Sequence, residues 1–175
     1  MSLQLIECTP DAHAVAVREI FNDAITNTTA LYDYQPRSMD AVLQWFGAKA
    51  RASYPVLGVV DGGGVLCGFA SYGPFRNWPA YKYSIEHSVY VHPGSRRQGV
   101  ARLLMQCLVE RAQAQQYHAM IGGIDADNAA SIALHEQLGF RHAGTIVHAG
   151  YKFGRWLDLA FYQLLLPGPS RPVES

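Results

Sequence analysis

The sequence has 175 residues and no net formal charge at pH 7, with 49% hydrophobic and 16% charged residues. That size and balance fit one domain able to bury its own core, and they exclude a disordered chain. Balanced charge gives no general attraction to nucleic acid or to an acidic membrane surface, and no apolar run approaches the ~20 residues that span a bilayer.

From the N-terminus, Leu3-Gln4-Leu5-Ile6 reads as a short strand. Thr9-Pro10-Asp11 predicts a helix start: an N-cap hydroxyl, proline at the first helical position and an early acid. Val15, Ile20 and Ala24 are expected near its inner face, and Asn27-Thr28-Thr29 at its end. Ser38 and Asp40 open a second helix carrying Val42, Trp45 and Phe46. Residues 54–60 and 65–72 predict a hairpin across Asp61-Gly62-Gly63-Gly64.

Residues 73–82 are irregular and aromatic. Phe75, Trp78 and Tyr81 surround Arg76 and Pro79, an unfavourable composition for a mere connector. Residues 83–91 read as a strand. If it is regular, Glu86, Ser88 and Tyr90 share one face, and Ile85, His87, Val89 and Val91 the other. A helix follows over 99–115, with Leu104, Leu108 and Ala112 in one stripe. Then come a buried strand over 119–124 and a short helix from Asp127-Asn128 to Leu138, closed by Gly139. The last strand segments cover 151–155 and 157–166.

Residues 1–166 are read as one domain and 167–175, with three prolines, as a frayed tail. Hairpin strands followed by strand-helix-strand predict an α/β fold, a mixed sheet flanked by helices. Cys8, Cys67 and Cys107 form no C-x-x-C pair and read as buried thiols, with neither a zinc knuckle nor a disulfide framework. No secretory pattern is seen at the N-terminus, so a cytoplasmic protein is expected.

The stretch that carries chemistry runs from Ser88 to Ala101: strand, loop, helix. A loop feeding a helix N-terminus exposes unpaired N–H groups and a partial positive charge. Gly99 lets the backbone approach a ligand, Ala101 is small, and Arg96 and Arg97 add charge. Together they suit a pyrophosphate. No Gly-Lys-Ser/Thr triplet follows, so this is not a nucleotide-hydrolase loop, and the further glycines of a dinucleotide fingerprint are missing. Alone, such a turn is a weak signal and reads first as a basic helix start.

It does not stand alone. Arg96-x-x-Gly99-x-Ala101 resembles the coenzyme loop of the GCN5-related N-acetyltransferase superfamily, and Asn128 to Phe140 resembles its closing helix. More closely, the chain resembles the phosphinothricin and methionine sulfoximine acetyltransferase branch. The resemblance rests on Phe21-Asn22-Asp23-Ala24 with Asn27-Thr28-Thr29, Trp45-Phe46, Tyr54-Pro55, Ala70-Ser71-Tyr72-Gly73, Glu86 to Val91 and Lys152 to Trp156. It covers nearly the whole chain apart from the tail.

The resemblance implies a mostly antiparallel mixed sheet, splayed between two central parallel strands, with acetyl-CoA in the opening. It implies that Val89, Tyr90 and Val91 hold the pantetheine, and that Arg96, Arg97, Gln98, Gly99, Val100 and Ala101 hold the pyrophosphate. Asn128 and Ser131 would contact the coenzyme farther on. It implies Glu86 as general base toward the acceptor, substrate contacts at Arg76, Asn77 and Trp78, and usually a homodimer. The acceptor would be a small amino acid or analogue with a polar, tetrahedral side-chain head.

Elementary chemistry agrees. An amine is mostly protonated at neutral pH and must lose a proton before it attacks a thioester. A carboxylate can take that proton, and no metal is needed. His135 stands where many superfamily members have a tyrosine that protonates the leaving thiolate; it either takes that role or packs. His87, beside Glu86, is a further substrate-side candidate. Arg76 either clamps an acidic group of the acceptor or stacks on Phe75 or Trp78. Tyr32, Tyr34, Lys152 and Arg155 are weaker acceptor-side candidates. Two rival readings keep the coenzyme: an enzyme for another amine (polyamine, antibiotic or protein N-terminus), and a non-catalytic acyl-CoA-binding module. A mere binder needs no carboxylate at Glu86.

Overall fold

The computed structural model describes residues 2–174. Seven strands form one sheet in the order β1-β2-β3-β4-β5-β7-β6. They are β1 (Gln4–Glu7), β2 (Val56–Val60), β3 (Leu66–Pro74), β4 (Ser84–Val91), β5 (Ala119–Asp125), β6 (Arg141–Lys152) and β7 (Arg155–Leu165). The helices are α1 (Pro10–Asn27), α2 (Met39–Arg51), α3 (Val100–Ala114) and α4 (Ala129–Gln137). The pairs β1–β2, β2–β3, β5–β7 and β6–β7 are antiparallel. β4 and β5 run parallel, with Ser84, Ile85 and Glu86 opposite Ala119, Met120 and Ile121. This is the expected mixed α/β sheet.

The chain forms two compact units. One takes in the residues up to Tyr72 together with Ser88–Leu108; the other takes in Gly73–His87 and the residues from Val109 on. The first is built around Phe21, whose ring meets Phe69 at 4.8 Å and Trp45 and Tyr90 each at 5.2 Å. α1 presents Ala14, Val17, Ile20, Phe21, Ala24 and Ile25 inward. Val15, expected on that face, is 57% exposed. Val15 and Ile20 are five residues apart, a spacing that one helix face does not hold. α2 starts as expected, with the Ser38 side chain accepting from the Ala41 N–H at 3.1 Å. The β2–β3 turn closes on Asp61, whose Oδ1 accepts from the N–H groups of Gly63 and Val65.

In the second unit Ile85, Met120, Leu157 and Phe140 are buried. β6 is longer than expected. Only its last two residues fall in a predicted strand, because this edge strand is exposed almost throughout and shows no alternation to read. Its turn into β7 is Phe153-Gly154, both at positive φ, with Lys152 opposite Arg155. That is the two-residue turn whose twist matches the strands it joins. The segment after β7, expected to fray, returns to the start of β4: the Tyr83 hydroxyl accepts from the Val173 N–H at 3.0 Å and donates to its carbonyl at 3.3 Å.

Candidate active site

β4 carries the site residues, and its buried positions are Ile85, His87 and Tyr90. The period of two therefore slips by one residue across Ser88-Val89, so Tyr90 does not share an alternation with Glu86 as a regular strand requires. Val89 and Val91 are half-buried and Tyr90 is buried against Phe21 and Phe69. The Tyr90 ring thus belongs to the aromatic core of the first unit.

The loop after β4 belongs to the first unit. The His92 N–H donates to the Cys67 carbonyl at 2.8 Å, and His92 Nδ1 accepts from the Gly94 N–H at 3.1 Å. Gln98 Nε2 donates to the Gly94 carbonyl at 3.1 Å. Arg97 and Gly99 both lie at positive φ, 62° and 83°. A left-handed arginine is costly and persists only where its surroundings fix it. A Cβ built on Gly99 meets no heavy atom within 4 Å, so no protein atom fills that space. Arg96, Arg97, Gln98 and Gly99 are exposed, whereas Val100 is 2% exposed and begins α3. Helix geometry leaves the first-turn N–H groups of α3 unpaired. Ala101, half-buried, adds no bulk there. An exposed loop with two cations, open backbone and a helix N-terminus is suited to a phosphate-bearing ligand. Arg96 is held by Asp23, Nη2 to Oδ2 at 2.8 Å.

The carboxylate Glu86 belongs to the second unit. It is half-buried. Its Oε1 lies 3.2 Å from where a Cβ on Gly123 would stand, with Leu159 and Phe161 beside the same glycine. Gly123 is the exposed position of β5, so the carboxylate rests against open strand backbone. Phe161 meets Phe75 edge-on at 6.3 Å, and the Arg76 guanidinium lies 4.2 Å from the Phe75 ring centroid. Arg76 also donates to the Phe75 carbonyl at 2.7 Å. Burial pushes the Glu86 carboxyl above the usual carboxylate range, and the Arg76 charge draws it partly back. A carboxylate with raised pKa is a better base toward an ammonium than a fully solvated one. Arg76, Asn77 and Trp78 are exposed, Trp78 at 73%.

His87 and His135 are buried, 8% and 1% exposed, with their Nε2 atoms 3.0 Å apart. His135 Nδ1 is 2.7 Å from the Ser131 carbonyl. A carbonyl only accepts, so His135 carries its proton on Nδ1 and its Nε2 accepts from His87 Nε2–H. His87 Nδ1 is then a buried acceptor with no partner among the described residues. Phe140 packs edge-on against both rings. Gly122 makes room for the pair, since a Cβ there would stand 2.7 Å from His87 Nε2. The structure thus brings these two candidates to each other, in alternation with Glu86 along β4.

Burial holds both imidazoles below their usual range, and in His87 the repulsion from a protonated His135 adds to this. The unfolded chain then takes up protons before the native one does. The stabilisation is full above the unfolded pKa of about 6.5 and is lost as pH falls from there toward the lower folded values. Tm is expected to fall between about pH 6.5 and 5, and less steeply in His87→Phe. Equal slopes by calorimetry would show that the pair is not held neutral.

Asn128 caps α4, its Oδ1 accepting from the Ser131 N–H at 3.1 Å. Ser131 and Asn128 are half-buried. Arg155 pairs with Asp127 at 3.0 Å and Asp125 at 3.4 Å, and Lys152 is buried. Tyr34 is 69% exposed. Sequence reasoning missed Gly122, Gly123 and Gly68. A Cβ on Gly68 would stand 2.7 Å from the Tyr90 carbonyl. Glycine inside a strand is the signal that marks such close approaches. Among the described residues no cluster of three or more His, Cys, Asp or Glu is arranged to hold a metal, and no helix is long and apolar enough to cross a membrane.

A profile of the Acetyltransferase (GNAT) family matches residues 15–140. The chain is 46% identical over 154 residues to an L-methionine sulfoximine/L-methionine sulfone acetyltransferase of Pseudomonas paraeruginosa, covering 87% of this chain and 90% of that protein. It is 34% identical to a phosphinothricin N-acetyltransferase of Streptomyces viridochromogenes, covering 93% and 89%. It superposes with a TM-score of 0.94 on the structure of yncA from Salmonella typhimurium with its cofactor acetyl-CoA, at 38% identity and 99% of both chains.

Proposed function

Because the chain belongs to the GNAT acetyltransferase family and is an acetyl-CoA-dependent N-acetyltransferase, we propose that its acceptor is the amine of a small amino acid or analogue, deprotonated by Glu86. The methionine sulfone, methionine sulfoximine and phosphinothricin type is the acceptor class that the names of its relatives support. The observation that carries the reading is the half-buried Glu86 carboxylate lying against Gly123 in β5, with Arg76 acting on its charge. Acetyl-CoA supplies the thioester carbonyl. Arg96 to Ala101 bind its pyrophosphate through backbone N–H groups and arginine charge. Val89, Tyr90 and Val91 offer strand backbone to the pantetheine, and Asn128 offers its amide; Ser131 stands one turn on. Asn77 and Trp78 flank the acceptor beside Arg76. His135 is 1% exposed and bonded at both ring nitrogens, which favours the positioning of His87 and β4 over proton delivery.

The test is a panel of amines assayed with wild type and Arg76→Ala. Charged hydrogen bonds contribute ~1.5–3 kcal/mol, so Arg76→Ala is expected to raise KM for methionine sulfone roughly tenfold or more and to leave KM for acetyl-CoA nearly unchanged. An amine with no acid group should be indifferent to the change. If it suffers equally, Arg76 holds the loop against Phe75 and does not clamp the acceptor.

The homodimer usual in this branch is part of the proposal. Edge strand β6 and its turn expose Ile146, Val147, Tyr151 and Phe153, and Trp156 of β7 lies beside them. An exposed apolar edge invites pairing with another chain. Light scattering at micromolar concentration is expected to give twice the chain mass; a monomer would remove this part.

A further inference from the structure

Asp23 sits on α1, 73 residues before Arg96, and both of its carboxylate oxygens are engaged. Oδ1 accepts from Asn27 Nδ2 at 2.8 Å, and Oδ2 accepts from Arg96 Nη2 at 2.8 Å. The same helical turn is fixed from below and beside. Phe21 is 2% exposed in the aromatic core. Asn22 clasps the Arg37 backbone both ways, accepting from its N–H at 2.7 Å and donating to its carbonyl at 3.2 Å. The Arg37 guanidinium covers the Phe21 ring at 4.1 Å. Asp23 therefore projects from a rigid base. Arg96 projects from an exposed loop, and its side chain is 47% exposed.

We propose that Asp23 is a positioning residue for the coenzyme: it holds the Arg96 guanidinium in the orientation that receives the pyrophosphate. This rests on the reading of residues 96–101 as the pyrophosphate loop. An unanchored arginine on the surface samples many rotamers and loses that freedom when it grips an anion. Asp23 imposes the restriction in advance. It occupies one of five guanidinium N–H donors and leaves the rest of the planar fork for phosphate oxygens.

A second effect opposes the first. A carboxylate near an anion site repels the anion, so simple charge counting makes Asp23 a hindrance. Both groups are in contact with solvent, however, and water and salt screen that repulsion. Screening acts on the ion pair too, but least on groups in direct hydrogen-bonded contact, here 2.8 Å apart, so positioning prevails. The two effects have opposite signs for the same substitution, and one measurement separates them.

Asp23→Asn keeps the shape and removes the charge. Calorimetry with acetyl-CoA on the full chain is expected to show about fivefold weaker binding. KM for acetyl-CoA should rise alike, while kcat and the acceptor KM hold. In an Arg96→Gln background, itself expected to bind several-fold more weakly, Asp23→Asn should cost nothing further. Unchanged or tighter binding by Asp23→Asn overturns the proposal. So does an equal loss in both backgrounds, because Asp23 then acts through α1 and not through Arg96. If Arg96→Gln and Gly99→Glu both bind like wild type, the pyrophosphate-loop reading fails instead, which is a distinguishable result.

Discussion

Glu86→Gln is expected to lower turnover about 10²-fold or more at neutral pH, the ordinary scale of general base catalysis. Glutamine keeps the shape that fits against Gly123 and loses only the basic oxygen. Acetyl-CoA affinity should stay within about twofold, because the proposed coenzyme contacts lie elsewhere. The pH profile supplies a second reading. A base must be ionised, so kcat/KM in the wild type rises with pH through the Glu86 pKa, and that pKa lies above the usual carboxylate range. The limb should vanish in Glu86→Gln. In Arg76→Ala it should move to higher pH, because the Arg76 charge is what draws the carboxyl down. Turnover within about threefold of wild type in Glu86→Gln would mean that another group or bulk water takes the proton.

The elements legible in the sequence were those whose burial is periodic or whose ends carry a specific residue. Ser38 and Pro10 marked helix starts, Asp61 and its glycines marked a hairpin, and Gly139 at φ +89° closed α4. β6 escaped because an exposed edge strand has no inner face to impose a pattern; three residues between Ile146 and Gly150 stand opposite Asp158 alone. A bulge in β4 was open as an alternative to regular alternation, but its position was not legible. Composition identifies a strand but does not say where its alternation breaks.

For the candidate site, residue types were legible and partnerships were not. Glu86 and the loop at Gly99 became candidates through the family resemblance, carried by residue type and order along the chain. That His87 turns to His135 depends on Gly122 in β5, whose missing side chain is the space the two rings use. Gly123, one residue on, does the same for Glu86. Two adjacent glycines of β5 thus lie against two neighbouring residues of β4, Gly122 by His87 and Gly123 by Glu86, and only the three-dimensional contacts reveal which lies by which. Arg96 looked like a cation waiting for a phosphate, yet it is held by an acid 73 residues away. No spacing rule joins positions that far apart.

Gly99→Glu is expected to weaken acetyl-CoA binding at least tenfold, about 1.4 kcal/mol. Two effects act in the same direction. Gly99 has φ +83°, where any side chain is strained by roughly 1–2 kcal/mol, so the loop is driven toward another conformation. The space around its Cβ position is open among the described residues, so a glutamate there meets no protein atom that would turn it aside, and its charge stands where the pyrophosphate is proposed to approach the backbone. Gly99→Ala separates the two, since it carries the strain without the charge or the reach. It should lose less, and the difference between the variants measures the electrostatic part. That difference should shrink as salt is raised, because screening acts on charge and not on backbone strain. Calorimetry on variants whose thermal unfolding matches wild type decides the matter. Wild-type affinity in Gly99→Glu would remove the loop from the coenzyme site, while equal losses in both variants would assign its importance to backbone conformation alone.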